Sequence, residues 1–295
     1  MSNNTFNFSV SGSRGTSNLR SHNLFDLDYQ EPNKSPIDLY EDNMLGYKKL
    51  WGCFLLDTSN NEYISLASTN GAEWSKLSNL LVLGFISSVE SYVRCTLRKL
   101  LLIDEPSKLK SYSKTITYAA ATYHDSALMP EALMEDCSFH SADNIKKTIK
   151  EITNISLNNT QKYPELNSAF INYDFIGQLR HCIVHRSGLF GSNNALSLGI
   201  NEYGSFLEKP IKMDLVVIQK AASVCDALVR ELNDIMFCEI LSRTIETYDW
   251  KGDFESDKEF FNTYFELFSS QEMIDKKIDC YNNFVTSYNL QHRPR

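Results

Sequence analysis

The sequence predicts a mostly α-helical chain whose long helices pack as a bundle, and three stretches carry that prediction. Residues 72–103 place apolar side chains at 74, 77, 81, 85, 89, 93, 97, 100 and 101, steps of three and four that mark one face of a long helix. Residues 214–247 repeat the pattern at 215, 218, 221, 222, 225, 228, 229, 232, 235, 236 and 240. Between them, ELNSAFINYDFIGQLRHCIVHRSG carries a stripe at 171, 175, 179, 182 and 183.

The elements follow in order. Residues 1–36 are rich in Asn and Ser with scattered apolar positions, the composition of a disordered arm. Residues 42–67 read two ways: LWGCFLLD and EYISLAS form a hairpin about TSNN, or a helix and a strap on the core. Asp104, Glu105 and Pro106 end the first long helix, since Pro lacks the N–H that continues the ladder. SADNIKKTIKEITNI is a shorter helix with Ser141 or Asp143 as N-cap. Gly188 stops the helix that Pro164 and Glu165 introduce. LFGSNNALSLGINEYGSFLEKPIKM, punctuated by Gly and Asn, reads as a loop with one or two short strands. Two aromatic-rich helices, 255–269 and 271–289, close the chain. The expected organisation is an arm (1–36), a helical domain (37–248) and a C-terminal helical addition (249–295).

Composition narrows the function classes. A hydrophobic content of 42% suits a globular core, and a net charge of −8 argues against a broad basic coat for nucleic acid. That charge is concentrated: residues 224–279 hold 14 acidic and 6 basic side chains, so the rest of the chain is balanced. No uninterrupted apolar run is long enough to suggest a membrane span, and the polar start lacks a secretory core. The seven scattered cysteines, without a CxxC pair, read as free thiols of a cytoplasmic protein.

Chemistry-bearing residues concentrate in Gln178–Gly188, QLRHCIVHRSG, which holds two of the six histidines and two arginines. On a helix, Arg180 and His185 stand about 140° apart and about 7.5 Å along the axis. With the apolar stripe between 171 and 183 turned inward, Arg180, His181 and His185 share the other side. Arginine offers a permanent charge to phosphate oxygens, and histidine exchanges protons near neutral pH. Together they suit phosphodiester cleavage without a metal or other cofactor. A pair of cations complementing the helix dipole is the bland alternative.

Arg180-His181-x-x-x-His185, preceded by the long helix bearing Glu90 in FISSVESYVRCTL and followed by another long helix, resembles the HEPN superfamily over residues 70–247. That superfamily comprises small helical bundles with an Arg-x4-6-His motif whose second position is often polar. The resemblance implies a metal-independent endoribonuclease, of the kind that serves as toxin or effector in bacterial anti-phage defence and toxin–antitoxin systems. It further implies a homodimer with motif helices facing across one composite cleft, and an antitoxin or defence-system partner protein. Arg180 would hold the scissile phosphate, and His185 would act as general acid or base on the 2′-hydroxyl or the leaving oxygen. His181 would orient the phosphate or base, and Glu90 would pair with Arg180. Some HEPN toxins carry a modifiable Tyr two residues past the motif histidine; here that residue is Ser187, which puts such regulation in doubt.

Residues 94–114 carry six basic against two acidic side chains, and Arg94, Arg98 and Lys99, with Arg186, are the candidate RNA-binding rim. His181 and His185 are also spaced as zinc ligands on a helix, with His124, Cys137 or His140 as a third donor, though no HExxH glutamate lies between them. A non-catalytic HEPN-like module for dimerisation or RNA sensing is the alternative function. No P-loop, nucleophile elbow or kinase motif is present.

Overall fold

The computed structural model describes residues 24–57, 62–63 and 72–290. The expected arm therefore lies mostly outside the described residues, and the helices belong to the unit Lys34–Arg295. Within the latter, twelve α-helices are described: α1 (Pro36–Leu55), α2 (Ala72–Ile103), α3 (Glu105–Ser111), α4 (Tyr118–Tyr123), α5 (Met129–Ala132), α6 (Ala142–Thr153), α7 (Pro164–Arg186), α8 (Ser192–Leu198), α9 (Ile200–Tyr203), α10 (Leu215–Thr244), α11 (Phe254–Phe268) and α12 (Lys277–Ser287). The β component is small: Leu56–Asp57 pair antiparallel with Glu62–Tyr63, and Leu189 bridges Pro210. Both readings of 42–67 hold in part, since LWGCFL belongs to α1 and a two-residue ribbon follows it.

Helices α2, α7 and α10 pack against one another, with α1 on α2 and α11 on α10 and α2. The stripe expected in α2 is buried: Leu81, Phe85, Val89, Val93 and Leu97 are each 2% exposed or less. By length and composition α2 is apolar enough to cross a bilayer, but 67% of its most apolar window is buried inside the bundle. Tyr40 Oη donates to Asp226 (2.8 Å) and Tyr92 Oη to Asn233 (3.1 Å), tying α1 and α2 to α10 at fixed registers.

One hydrophobic cluster runs from Ile37 to Leu290, so α11 and α12 share the core of the helices before them. The boundary expected at 248 marks a turn within that core. Asp257, fully buried, accepts from the backbone N–H of Lys251 and Gly252 and from Tyr281 Oη (2.6 Å), which locks that turn to α12. Around it Trp250, Phe260, Phe261, Tyr281 and Phe284 meet mostly edge to face. Each such pair is worth about 0.5–1.5 kcal/mol beyond burial.

Asp104 does more than end α2. It caps α3 by accepting from Ser107 N (2.9 Å), and Pro106 sits in the first turn, where its missing N–H costs nothing. Its buried carboxylate also pairs with Arg243 of α10 and accepts from Tyr264 Oη of α11 (3.3 Å). Arg243 in turn donates to Thr153 O (2.7 Å) at the end of α6, so one ion pair joins four elements.

The 188–213 segment differs from the expected strands. It forms α8, α9 and a 3-10 turn, held closed by Phe190 N–Lys209 O, Glu208 N–Phe190 O and Ile211 N–Gly188 O bonds, each 2.9 Å. Its Asn residues are largely helical; buried Asn194 accepts from Gly191 N (3.3 Å) and donates to Gln178 of α7 (2.8 Å).

Candidate functional site

The stripe expected to face inward on α7 is the wrong one. The buried row is Leu166, Ala169, Phe170, Tyr173 and Ile176, whereas Ile171 is 63% exposed and Phe175 37%. Leu179 and Ile183 are half-buried, and of the expected stripe Cys182 alone is fully buried. Arg180 lies seven residues beyond Tyr173, about two turns on, and so continues the core row where it emerges from the bundle. Arg180 and His181 are half-buried at that point, and His185 is exposed. The last turn closes with Ser187, ahead of Gly188, in the left-handed conformation (φ 53°), and Gly188 N bonds back to Cys182 O at 2.9 Å.

Two successive turns of α7 hold the chain that precedes α6. Tyr173 Oη donates to Phe139 O (2.9 Å), Asp174 accepts from Ala142 N (2.8 Å), and Gly177 lets His140 O approach the helix backbone. Ser141 caps α6, accepting from Asn144 N (3.4 Å). The result is a pocket of about 140 Å³ lined by His140, Ser141, Asp174, Gly177, Gln178, Arg180 and His181.

The charges around it are specific. Among the described residues Arg180 makes no ion pair and no hydrogen bond. The rings of His181 and His185 are 4.8 Å apart and tilted by 49°. Burial, reinforced by the positive fields of His185, Arg180, Arg186 and His140, lowers the pKa of His181 below the ordinary 6.5. Burial raises the Asp174 carboxyl, opposed by its bond from Ala142 N. Glu90 Oε1 lies 4.0 Å from His140 Nδ1, and Ser138 Oγ contacts the same nitrogen. Both partners on one nitrogen is not a nucleophile–base–acid relay, which needs opposite ring nitrogens.

Comparisons with protein-family models, with curated proteins and with solved structures found no match.

Of the candidate residues, Arg180 and His181 share the pocket and His185 adjoins it. Glu90 meets His140 rather than the expected Arg180. The expected RNA-binding rim is tied to protein acceptors. Arg94 donates to the carbonyls of Met134 and Cys137, pairs with Glu131 (3.6 Å) and lies over the Phe139 ring. Arg98 also pairs with Glu131 (3.8 Å), and Lys99 Nζ donates to Lys34 O (2.6 Å). For Arg94 the cause is local: the end of α2 packs against the turns at 129–139, whose carbonyls need donors. Arg186 pairs with Glu208 and lies against Gly191, where a side chain would collide with it. All four cations thus have protein partners.

Sequence reasoning missed His140, Asp174 and Gly177 as members of the pocket; a glycine inside a helix that otherwise shows no break was the available signal for the last. For the zinc reading, no three His, Cys, Asp or Glu side chains among the described residues lie together as a metal group.

Proposed function

We propose that the chain is an endoribonuclease that cleaves RNA by attack of the ribose 2′-hydroxyl, without a metal ion, in the manner of the HEPN proteins its motif resembles. The observation that carries this reading is the contrast among cations. Arg94, Arg98, Lys99 and Arg186 each have a protein partner, while Arg180 stands unpaired at a pocket beside His181 and His185. A half-buried guanidinium without a carboxylate is free to take an anion, and its fork geometry suits a phosphate.

In the proposed reaction a histidine removes the 2′-hydroxyl proton, O2′ bonds to phosphorus, and the P–O5′ bond breaks. A second histidine protonates O5′, leaving a 2′,3′-cyclic phosphate and a 5′-hydroxyl. Arg180 stabilises the charge gathered on the non-bridging oxygens. In-line displacement needs base and acid on opposite sides of phosphorus, whereas His181 and His185 adjoin on one side. Two copies facing across a two-fold axis supply both sides, which favours a homodimer with a composite cleft. A cytoplasmic toxin or defence effector, held by an antitoxin or system partner, is the role that accords with such chemistry.

The test is incubation of purified protein with total RNA in EDTA and sequencing of new ends. Cyclic-phosphate ends that disappear in Arg180→Ala and His185→Ala are expected. Cleavage unchanged in both variants overturns the assignment of the site. A wild-type protein that leaves RNA intact points instead to a non-catalytic dimerisation or RNA-sensing module.

A further inference from the structure

A second cavity, of about 550 Å³, opens between α7 and the 188–213 segment. Its size falls within the roughly 300–1,000 Å³ typical of small-molecule sites. Phe175 stands about 140° around α7 from Arg180, so this cavity lies on a different flank from the pocket above. Tyr203 is at its centre, with ring centroids 6.2 Å from Phe175, 6.2 Å from Phe190 and 6.4 Å from Phe206. The rings are tilted by 57°, 41° and 54°, so none is stacked face to face on Tyr203.

Lys209 and Lys212 line the same cavity, are exposed, and have no side-chain partner among the described residues. They are carried on backbone clamped by the bonds of Phe190 to Lys209 and of Ile211 to Gly188, which fixes them relative to the rings. An apolar ligand would leave two ammonium groups unused, and a bare anion would leave the aromatic cup unused. A planar ring bearing an anionic group uses both.

We propose that this cavity binds a nucleotide, its base against Tyr203 and Phe206 and its phosphate at Lys209 and Lys212. The nucleotide comes either free in solution or as an unstacked unit of an RNA strand. The proposal does not depend on the cleavage reading, since the cavity contains none of Arg180, His181 and His185.

Calorimetric titration of the full-length protein tests it, using AMP and UMP in one arm and a 2′-O-methyl hexanucleotide with a 5′-hydroxyl in the other. Binding in at least one arm is expected, weakened about tenfold by Lys209→Glu or by Phe206→Ala. Both altered residues are exposed, so the fold tolerates the changes, and a wild-type far-UV CD spectrum confirms it. Binding of mononucleotides that the strand does not displace identifies the free ligand; displacement, or binding of the strand alone, identifies RNA. Absence of binding in both arms at millimolar ligand, or binding that both cavity variants leave unchanged, overturns the proposal.

Discussion

A side-chain carbon on Gly177 would stand 2.9 Å from the carbonyl oxygen of His140, closer than real contacts allow. The pocket beside Arg180 exists because a helix backbone and a loop backbone touch there. Gly177→Ala gains about 1 kcal/mol in helix propensity but forces the loop outward, and overpacking of this kind costs about 1–3 kcal/mol. A net loss of about 1 kcal/mol in urea unfolding is expected, together with reduced cleavage. A variant more stable than wild type would show that the loop yields freely.

The Asp104–Arg243 pair joins the start of α3 to the end of α10. Asp104 is fully buried and Arg243 is 23% exposed, so either partner left alone is strongly penalised. Asp104→Asn and Arg243→Met should each cost about 3 kcal/mol, near the lower end for broken buried pairs. The double variant should cost much less than the sum, because the second change removes the stranded charge. Strict additivity in urea midpoints would mean that the two side chains do not act as a pair.

The long helices α2 and α10 were legible because each presents one apolar stripe to a surrounding core, and burial follows the stripe residue by residue. Helix α7 was misread because it is apolar on two faces. The inner row holds Phe170 and Tyr173, while Phe175 and Leu179 on the outer row line the second cavity. Periodicity cannot rank two such rows. Arg180 and the two histidines were legible as a motif. What brings His140 to them was not, because the Tyr173, Asp174 and Gly177 contacts that position it are long-range.

Acid should weaken the fold through His181. Its pKa is lowered by burial and by neighbouring positive charge, so below 6.5 the unfolded chain takes up a proton before the folded chain does. Stability from this group is therefore complete above 6.5 and is lost as pH falls through the lower folded value. Between pH 7.5 and 5.5 the melting temperature of wild type should fall more than that of His181→Gln. Parallel curves would contradict the shift.

The cations at the end of α2 should matter to stability and not to RNA. Arg94→Gln removes donors from the carbonyls of Met134 and Cys137. It is expected to cost about 1–3 kcal/mol, the price of stranded acceptors. RNA affinity measured across salt concentrations should keep its wild-type slope, since no phosphate contact is lost. A shallower slope would restore Arg94 to the RNA-binding surface.

The central claim is that the ribose 2′-hydroxyl is the nucleophile at a site built on Arg180, His181 and His185. Once a cleavage site is mapped, an oligonucleotide carrying one 2′-deoxy sugar at the scissile position tests that claim most directly. The account predicts that this substrate is bound but left uncut in EDTA, while the all-ribose strand is cleaved to a 2′,3′-cyclic phosphate. Equal cleavage of the two strands would contradict it.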